Sequence, residues 1–543
     1  MIAEVQDGDC LPEMRQTAAT LYQKGRYEEA VALIKPLLTS PHVDAQLLNL
    51  AAACCLSMGR AQEAAGLWQQ MLDRQPNHYD ALNNLGVVLS ELDRMEDAEA
   101  CFRRALAVTP GHPGAYINIG RLFARLRRFE EAEHAYRHAI VLQPQSFEAW
   151  QNLGVMYREQ RRLPEAASAL GHALAENPHD ASTHFDLGVV LTLQKRLDEA
   201  ETSYRQVLAL SPHHFEAKQN LAHLLLSLGK FEEGWELYET RYDPAWPQRV
   251  VTPPAVDYPV WRGEDLSGKS LLVYSEQGHG DSLQFCRYLT ALKACGLSKL
   301  TVVCSEELQP LLELIAGVDL CISPERLDSA PRHDYLCLMM SLPCRFRTTL
   351  HCVPASTPYL RVPRERIAKW AGRLPGNRFK VGLVWAGAPR VHRPELNAVD
   401  RLRSFDAITY IPLLRIPGIT FVSLQKGETT QMQINAIPAD LRPLDLMHDV
   451  HDFADTAAII EQLDLVITVD TAIAHLAGAL DKPVWILSRN DACWRWLNDR
   501  DDSPWYPSAR LFRQPSPGHW DEVISRVTCE LANRAFEFSR RVG

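Results

Sequence analysis

The sequence predicts two unlike halves in one chain: an all-α superhelix of short helical repeats, then an α/β half built from two doubly wound parallel-sheet domains. Three observations carry that expectation. Prolines stand at 76, 110, 144, 178 and 212, each 34 residues after the last, a step that marks a stacked helix-pair repeat. From Lys269 onward the pattern changes to short apolar runs, each ending in a turn and a helical stretch, as parallel strand-helix units require. Between the halves lie Pro244, Pro247, Pro253, Pro254 and Pro259, too dense a set for regular helix. The expected boundaries are 1–243 for the solenoid, 244–265 for a proline-rich linker, and 266–365 and 366–543 for the two α/β domains.

Composition sets the class. The chain of 543 residues is 46% hydrophobic and 23% charged with a net charge of −10, which speaks against a general nucleic-acid binder. No apolar run reaches the roughly 18 residues of a membrane span. The first residues, MIAEVQDGDCLPEM, lack the basic and apolar regions of a signal peptide, so a cytoplasmic protein is expected. The 13 cysteines are scattered without a C-x-x-C pair, which suggests neither a disulfide framework nor a zinc site. Cys54 and Cys55 read as small buried residues of a helix.

In the repeats, other positions keep the proline step. Gly86, Gly120, Gly154 and Gly188 recur at 34, flanked by Ala52 and Ala222, as do Ala98, Ala132, Ala166 and Ala200. Trp68, Phe102, Tyr136, Tyr204 and Tyr238 fill a large-residue position where Leu170 replaces the aromatic. The set resembles the tetratricopeptide (TPR) family, and about six or seven units are expected. In each, a small residue lets helix A approach helix B, a large one fills the space beside it, and proline closes helix B. Such stacks carry a concave surface that holds peptides. Asn83, Asn84, Asn118 and Asn152, on successive first helices, are the candidates to line it. An array serving only as a spacer or a homodimerisation arm is the alternative.

In the linker, Trp246 and Trp261 are expected to pack the chain onto its neighbours. The first α/β domain opens with the strand SLLVY, the turn SEQGHGD and a helix over 282–296, and further strands are expected at 300–304, 319–322 and 334–338. Gly278 and Gly280 allow a tight turn and close approach of a ligand, with His279 between them. Asp281 stands where the helix begins. There a carboxylate either caps backbone donors or projects into a cleft as a general base, and position alone does not choose.

Residues 363–378, with Trp370, read as a basic connecting segment. The second domain presents a strand over 380–385 with the turn Ala386-Gly387-Ala388-Pro389, a strand over 420–424 with the turn Gln425-Lys426-Gly427, and Leu465 to Val469 with the turn Asp470-Thr471. Each delivers its turn to one edge of a parallel sheet, where ligands of such folds bind. Asp470 or Thr471 would cap the helix 472–480, and His475 lies one turn in, on the face of Thr471. A helix N-terminus of this kind suits phosphate. Arg401 and Arg403, in HRPELNAVDRLRSFD, would pair with phosphate oxygens or form a solvated basic loop.

Taken together, EQGHGDSLQFCRYL, VGLVWAGAPR, VDTAIAHLAGALDKPVWIL and WRWLNDRDDSPWYPSARLFRQ resemble the bacterial tetratricopeptide glycosyltransferases. The catalytic half of that group is related to the heptosyltransferases of lipopolysaccharide synthesis, and its layout is shared with the O-GlcNAc transferases. The resemblance implies a GT-B arrangement of two Rossmann-like domains, the first on the acceptor side and the second binding a nucleotide-sugar. It implies Asp281 as the base and Asp470, Thr471, Ala472 and His475 as the diphosphate turn. Arg401, Arg403 and Lys426 are the nearest candidates for the cation on the donor phosphate, with Gln425 beside them, and Gly278, His279 and Gly280 form the acceptor-side turn. The implied reaction is metal-independent inverting transfer of a sugar to a hydroxyl, with no cofactor beyond the co-substrate. No D-x-D pair sits at a predicted ligand turn; Asp499, Asp501 and Asp502 read as a surface segment.

The expected acceptor is a protein, such as a flagellin or another surface protein, held by the TPR groove. A lipid or oligosaccharide acceptor is one alternative, disfavoured because a small glycan gains nothing from a long peptide groove. A non-catalytic TPR scaffold is the other.

Overall fold

The computed structural model describes residues 10–38, 44–354, 356–387, 400–427, 429–491 and 493–542. Ala388, Pro389 and the first part of the HRPELNAVDRLRSFD stretch lie outside the described residues, as does the start of the N-terminal segment. The chain forms two compact units, Met1–His213 and His214–Gly543.

The first unit is a stack of helix pairs. Among its described residues these are Cys10–Gln23 with Tyr27–Leu38, Ala45–Ser57 with Ala61–Arg74, Tyr79–Glu91 with Met95–Val108, Pro113–Arg125 with Phe129–Leu142, Phe147–Glu159 with Leu163–Glu176, and Ala181–Leu193 with Leu197–Leu210. Side chains of Asp44, His78, His112, Ser146 and Asp180 cap the first helices by accepting backbone N–H bonds. The second helices stop at Gln75, Thr109, Gln143, Asn177 and Ser211. Each of these precedes a repeat proline, whose ring disfavours the helical conformation one residue before it.

The small-large pairing is steric fact. A β-carbon added to Gly86 would lie 2.6 Å from the Phe102 ring, and one on Gly120, Gly154 or Gly188 would lie 2.7 Å from Tyr136, Leu170 or Tyr204. Gly171, by contrast, is a helical glycine with nothing within 4 Å. Gly120→Ala is therefore expected to destabilise the first unit by about 1–3 kcal/mol through overpacking. Gly171→Ala should stabilise it by up to about 1 kcal/mol through helix propensity. Denaturant unfolding of the two variants checks the opposite signs.

The second unit opens with a seventh helix pair, Phe215–Ser227 and Phe231–Tyr238, and a 3-10 turn Glu239–Tyr242. The compact units thus divide one repeat earlier than the sequence boundary at 243. The reason lies in the side chains of this last pair. Trp235 is buried with its ring 6.0 Å from Phe285, 5.2 Å from Trp494 and 6.4 Å from Trp505. Arg241, with no exposed side-chain surface, pairs with Glu276 at 2.8 Å and Glu239 at 2.7 Å. The linker tryptophans pack as expected: Trp246 and Trp261 are buried, and Trp246 stacks on Phe215 at 5.8 Å.

Two parallel sheets follow. The first comprises β1 (Ser270–Tyr274), β2 (Lys299–Val303), β3 (Leu320–Ile322) and β4 (Tyr335–Leu338) in the order β3-β2-β1-β4. The second comprises β5 (Phe379–Val384), β6 (Ile419–Ser423), β7 (Leu444–Asp445), β8 (Leu465–Val469), β9 (Val484–Ser488) and β10 (Ala509–Arg513) in the order β10-β9-β8-β5-β6-β7. The second sheet is the doubly wound order, with its switch point between β5 and β8; the first contains the same order over four strands. All five residues of β8 are buried, as a strand covered on both faces demands.

One expectation needs correction. The helix anticipated over 282–296 is broken into His279–Phe285, the 3-10 turn Cys286–Tyr288 and Leu289–Ala294. At the break, Arg287 Nε donates to the Gln284 carbonyl at 2.8 Å, competing for an acceptor that a continuous helix uses internally. The connecting segment 363–378 holds a helix, Arg364–Trp370. Its buried Trp370 donates Nε1 to Asp455 at 2.8 Å, and Lys369 and Arg366 reach the same carboxylate at 2.9 and 3.1 Å. Among the described residues no helix is long and apolar enough to cross a membrane.

Candidate functional site

The turn after β1 and the turn after β8 meet. A β-carbon on Gly280 would lie 2.9 Å from the His475 ring and 3.4 Å from the Ala472 backbone. Only glycine lets the helix His279–Phe285 approach the helix Ala472–Ala479 this closely. The sequence singled out both turns; the structure brings them into contact.

Asp281 is the third residue of its helix, so its carboxylate turns back over the N-terminus. Oδ2 accepts the Gly278 N–H at 3.0 Å, and Oδ1 is paired with Arg495 Nη2 from the second α/β domain. Two of about four lone-pair positions are thus occupied, and a fifth of the side chain stays exposed. Both roles considered for it therefore remain geometrically open: it caps, and it faces solvent.

The turn behind it is braced by the last helix pair. Glu276 accepts from Arg241 and from the Met340 N–H at 3.1 Å, and Gln277 Nε2 donates to the Tyr238 hydroxyl at 3.0 Å. Beside Asp281, His279 is exposed and sets its ring edge against Phe453, at a centroid distance of 5.1 Å.

At the β8 turn, Thr471 is the N-cap residue but makes no side-chain cap; its hydroxyl lies 3.0 Å from that of Thr468. The expected cap by Thr471 is therefore corrected to an N-terminus that its N-cap side chain leaves uncapped, its hydroxyl being turned toward Thr468. Asp470, Thr471 and Ala472 are partly exposed. Arg403 Nη1 donates to the Asp470 carbonyl at 2.6 Å, and Nη2 pairs with Asp400 at 2.7 Å. A β-carbon on Gly387 would lie 2.6 Å from this guanidinium. Arg403 therefore sits at the switch point between the β5 and β8 turns, while Arg401 is exposed.

His475 is buried. Its Nδ1 is 2.9 Å from the Tyr506 hydroxyl, and its ring stacks on Trp496 at 5.2 Å. Burial, reinforced by Arg495, Arg287 and Arg403, holds its pKa well below the ordinary value, so the imidazole is neutral. The unfolded chain takes up a proton there that the folded one refuses, so stability is lost as pH falls below about 6.5, by at most about 1.4 kcal/mol per pH unit. A His475→Gln variant should show a shallower fall between pH 7.5 and 5.5 in denaturant unfolding.

Gln425, read as a donor contact, has a structural task. Buried, it accepts from the Trp385 and Ala386 N–H groups at 3.1 and 2.9 Å and donates to the Ala386 carbonyl at 3.0 Å, pinning the β5 turn. Lys426 is exposed and donates to the Val450 carbonyl at 3.2 Å. In the repeats, Asn118 Nδ2 donates to Asn83 Oδ1 at 3.0 Å, so these two address each other; Asn84 and Asn152 are half-buried. Among the described residues no cluster of three or more His, Cys, Asp or Glu side chains is disposed to hold a metal.

Sequence reading missed Arg495, Trp496 and Tyr506. All three stand in WRWLNDRDDSPWYPSARLFRQ, which the resemblance flagged as a stretch but to which it assigned no roles. Their partners lie in the first α/β domain or on the helix Ala472–Ala479, and no local spacing reveals them.

Comparison with known proteins finds matches in both halves of the chain. Tetratricopeptide models match residues 18–38, 158–215 and 191–240, and the model described as the middle TPR-like domain of cilia and flagella-associated protein 70 matches 47–173. The model for glycosyltransferase family 9 (heptosyltransferase) matches 435–492, the stretch that holds β8, its turn and His475. Matches to tetratricopeptide models and to the glycosyltransferase family 9 model thus fall on one chain, the combination its sequence resembles. Among particular proteins it is similar to Protein FlbA of Caulobacter vibrioides, 31% identical over 58% of this chain and 54% of FlbA; the match spans about half of that relative. Solved structures similar to it include the APC/C hetero-tetramer Cut9-Hcn1 (18% identity, TM-score 0.36, 39% of this chain and 42% of that one). Another is a thermophilic TPR protein of Thermus thermophilus (22% identity, TM-score 0.30, 34% of this chain and all of that one).

Proposed function

We propose that the chain is a GT-B-type glycosyltransferase that moves a sugar from a nucleotide-sugar donor to a hydroxyl of a protein acceptor held by the TPR groove. The observation that carries this reading is the abutment of the Gly278–Asp281 turn on the Asp470–His475 turn. It sets a carboxylate beside a helix N-terminus without a side-chain cap, at the edge where doubly wound sheets bind ligands. In this reading the donor diphosphate lies on the first turn of the helix Ala472–Ala479, where backbone N–H groups and the helix dipole favour anions. Arg403 adds positive charge there. Asp281 takes the proton of the acceptor hydroxyl as that oxygen attacks the anomeric carbon from the side opposite the diphosphate, and configuration inverts. Charge growing on the leaving diphosphate is met by the preorganised donors and the guanidinium.

The glycosyltransferase family 9 match and the FlbA likeness support the transferase class. A polypeptide acceptor is supported by the repeats, whose kind of solenoid binds peptides along an extended surface. His475 acts from beneath, as the buried residue against which Gly280 and Trp496 pack.

A thermal-shift screen of UDP-, GDP- and dTDP-sugars tests the reading. One nucleotide class should raise the melting temperature of the full chain, and Arg403→Ala should diminish that shift. No shift with any nucleotide would favour the scaffold alternative.

A further inference from the structure

We infer that Arg495 is a positioning residue for Asp281, delivered from the second α/β domain, so that the base-bearing turn is complete only while the two α/β domains are seated together. The inference rests on the reading of Asp281 as the base. Arg495 lies on the 3-10 turn Trp494–Trp496 between β9 and β10, yet its guanidinium is committed to the first domain. Nη2 pairs with Asp281 Oδ1, and Nε donates to Gln284 Oε1 at 3.0 Å. Asp281 and Gln284 are three residues apart and share a helix face, so one planar fork reads both side chains. With Oδ2 on the Gly278 N–H, the carboxylate is fixed at both oxygens, one bond from each domain.

The segment presenting Arg495 is itself held firmly. Its guanidinium lies 4.2 Å from the centre of the Trp494 ring, and Nη1 is 3.1 Å from Cys493 Sγ. Two residues on, Leu497 has φ +53° and ψ −174°, a conformation that residues with a side chain rarely adopt and that persists where surroundings impose it. Here Arg513 Nη2 donates to the Trp496 carbonyl at 2.7 Å, and Asn498 Nδ2 donates to the Ser227 carbonyl and hydroxyl at 3.1 Å each. Burial opposes the Arg495 charge, and Asp281, Cys493 and Tyr238 more than offset it, so the guanidinium stays ionised. A pair that served packing alone would have no need of an open carboxylate, but Asp281 is more exposed than its partner, 20% against 11%.

The test uses the full chain and the nucleotide sugar found by the thermal screen, with nucleoside diphosphate release measured by hydrolysis in the absence of acceptor. Arg495→Ala should lower kcat about 100-fold, the cost of a misplaced reacting group, with donor KM nearly unchanged and with partial recovery on adding guanidinium chloride at millimolar concentration. Arg495→Lys should fall between, since an ammonium cannot span both partners. Gln284→Met, which keeps the ion pair, should lose less than Arg495→Ala. Unchanged kcat in Arg495→Ala would overturn the positioning role, as would a loss that guanidinium does not restore and that Arg495→Lys shares in full. If Asp281→Asn abolishes turnover while Arg495→Ala does not, only this inference fails. If Asp281→Asn leaves turnover intact, or the wild type turns over no donor, the reading of the base fails with it.

Discussion

Replacing Asp281 by asparagine is expected to leave donor binding intact and to reduce sugar transfer at least about 100-fold, the scale of a lost general base. Asparagine preserves size and can still accept the Gly278 N–H through its amide oxygen, so the turn should keep its shape. What it cannot do is take a proton. With that oxygen on Gly278, the amide nitrogen takes the place of Oδ1 opposite Arg495, so a donor faces a donor and the charge-assisted bond is lost. Donor-induced thermal shift and nucleoside diphosphate release, measured on one preparation, separate binding from chemistry. Full transfer by the variant would leave Asp281 with a capping task alone.

Arg241→Ala is expected to cost about 3–5 kcal/mol, the range for removing one partner of a buried pair. The arginine has no exposed side-chain surface and Glu276 has 1%; its removal leaves that carboxylate without its cation, and Ser341 and Glu239 without a shared donor. Burial raises the Glu276 pKa, and stripping Arg241 from it would raise it further, so part of the loss would be relieved by protonation as pH falls. Denaturant unfolding followed at pH 7 and pH 5 checks both points, and a smaller deficit at pH 5 is the expected sign. Arg196→Ala serves as the contrast. Its pair with Glu199 is exposed, and pairs of that kind contribute about 0–1 kcal/mol. Because Glu276 lies in the loop that leads into the helix bearing Asp281, milder variants of the same network, such as Tyr238→Phe, report on the candidate site.

The repeats were legible because a solenoid writes its packing into a fixed period: Gly120 and Tyr136 are sixteen residues apart, as are their equivalents in every neighbouring unit. Strands β1 and β8 were legible to the residue, since a strand buried at its centre, as β1 is, or along its whole length, as β8 is, needs an apolar run between turn residues. Local turns were equally plain at Gly278–Gly280 and Asp470–Thr471. What the sequence does not display is which turn side chains point at a ligand and which hold the backbone. Gln425 stands in a ligand-edge turn and yet spends its amide on Trp385 and Ala386. His475 shares a face with Thr471 and yet is drawn inward by Tyr506. Contacts such as Asp281 with Arg495 join residues more than two hundred positions apart, and no periodicity records them. The membership of the seventh helix pair was hidden for a similar reason: Trp235 and Arg241 fit the repeat register, but their partners are in the α/β half.

An experimental structure of the full chain with a nucleoside diphosphate bound would decide whether the two facing turns form one site. Phosphate oxygens are expected within hydrogen-bonding distance, about 3 Å, of the Ala472 or Ile473 N–H groups, with Arg403 alongside and the Asp281 carboxylate facing the same space. A diphosphate seated elsewhere, or one seated there with Asp281 turned to a separate surface, would contradict the proposed transferase.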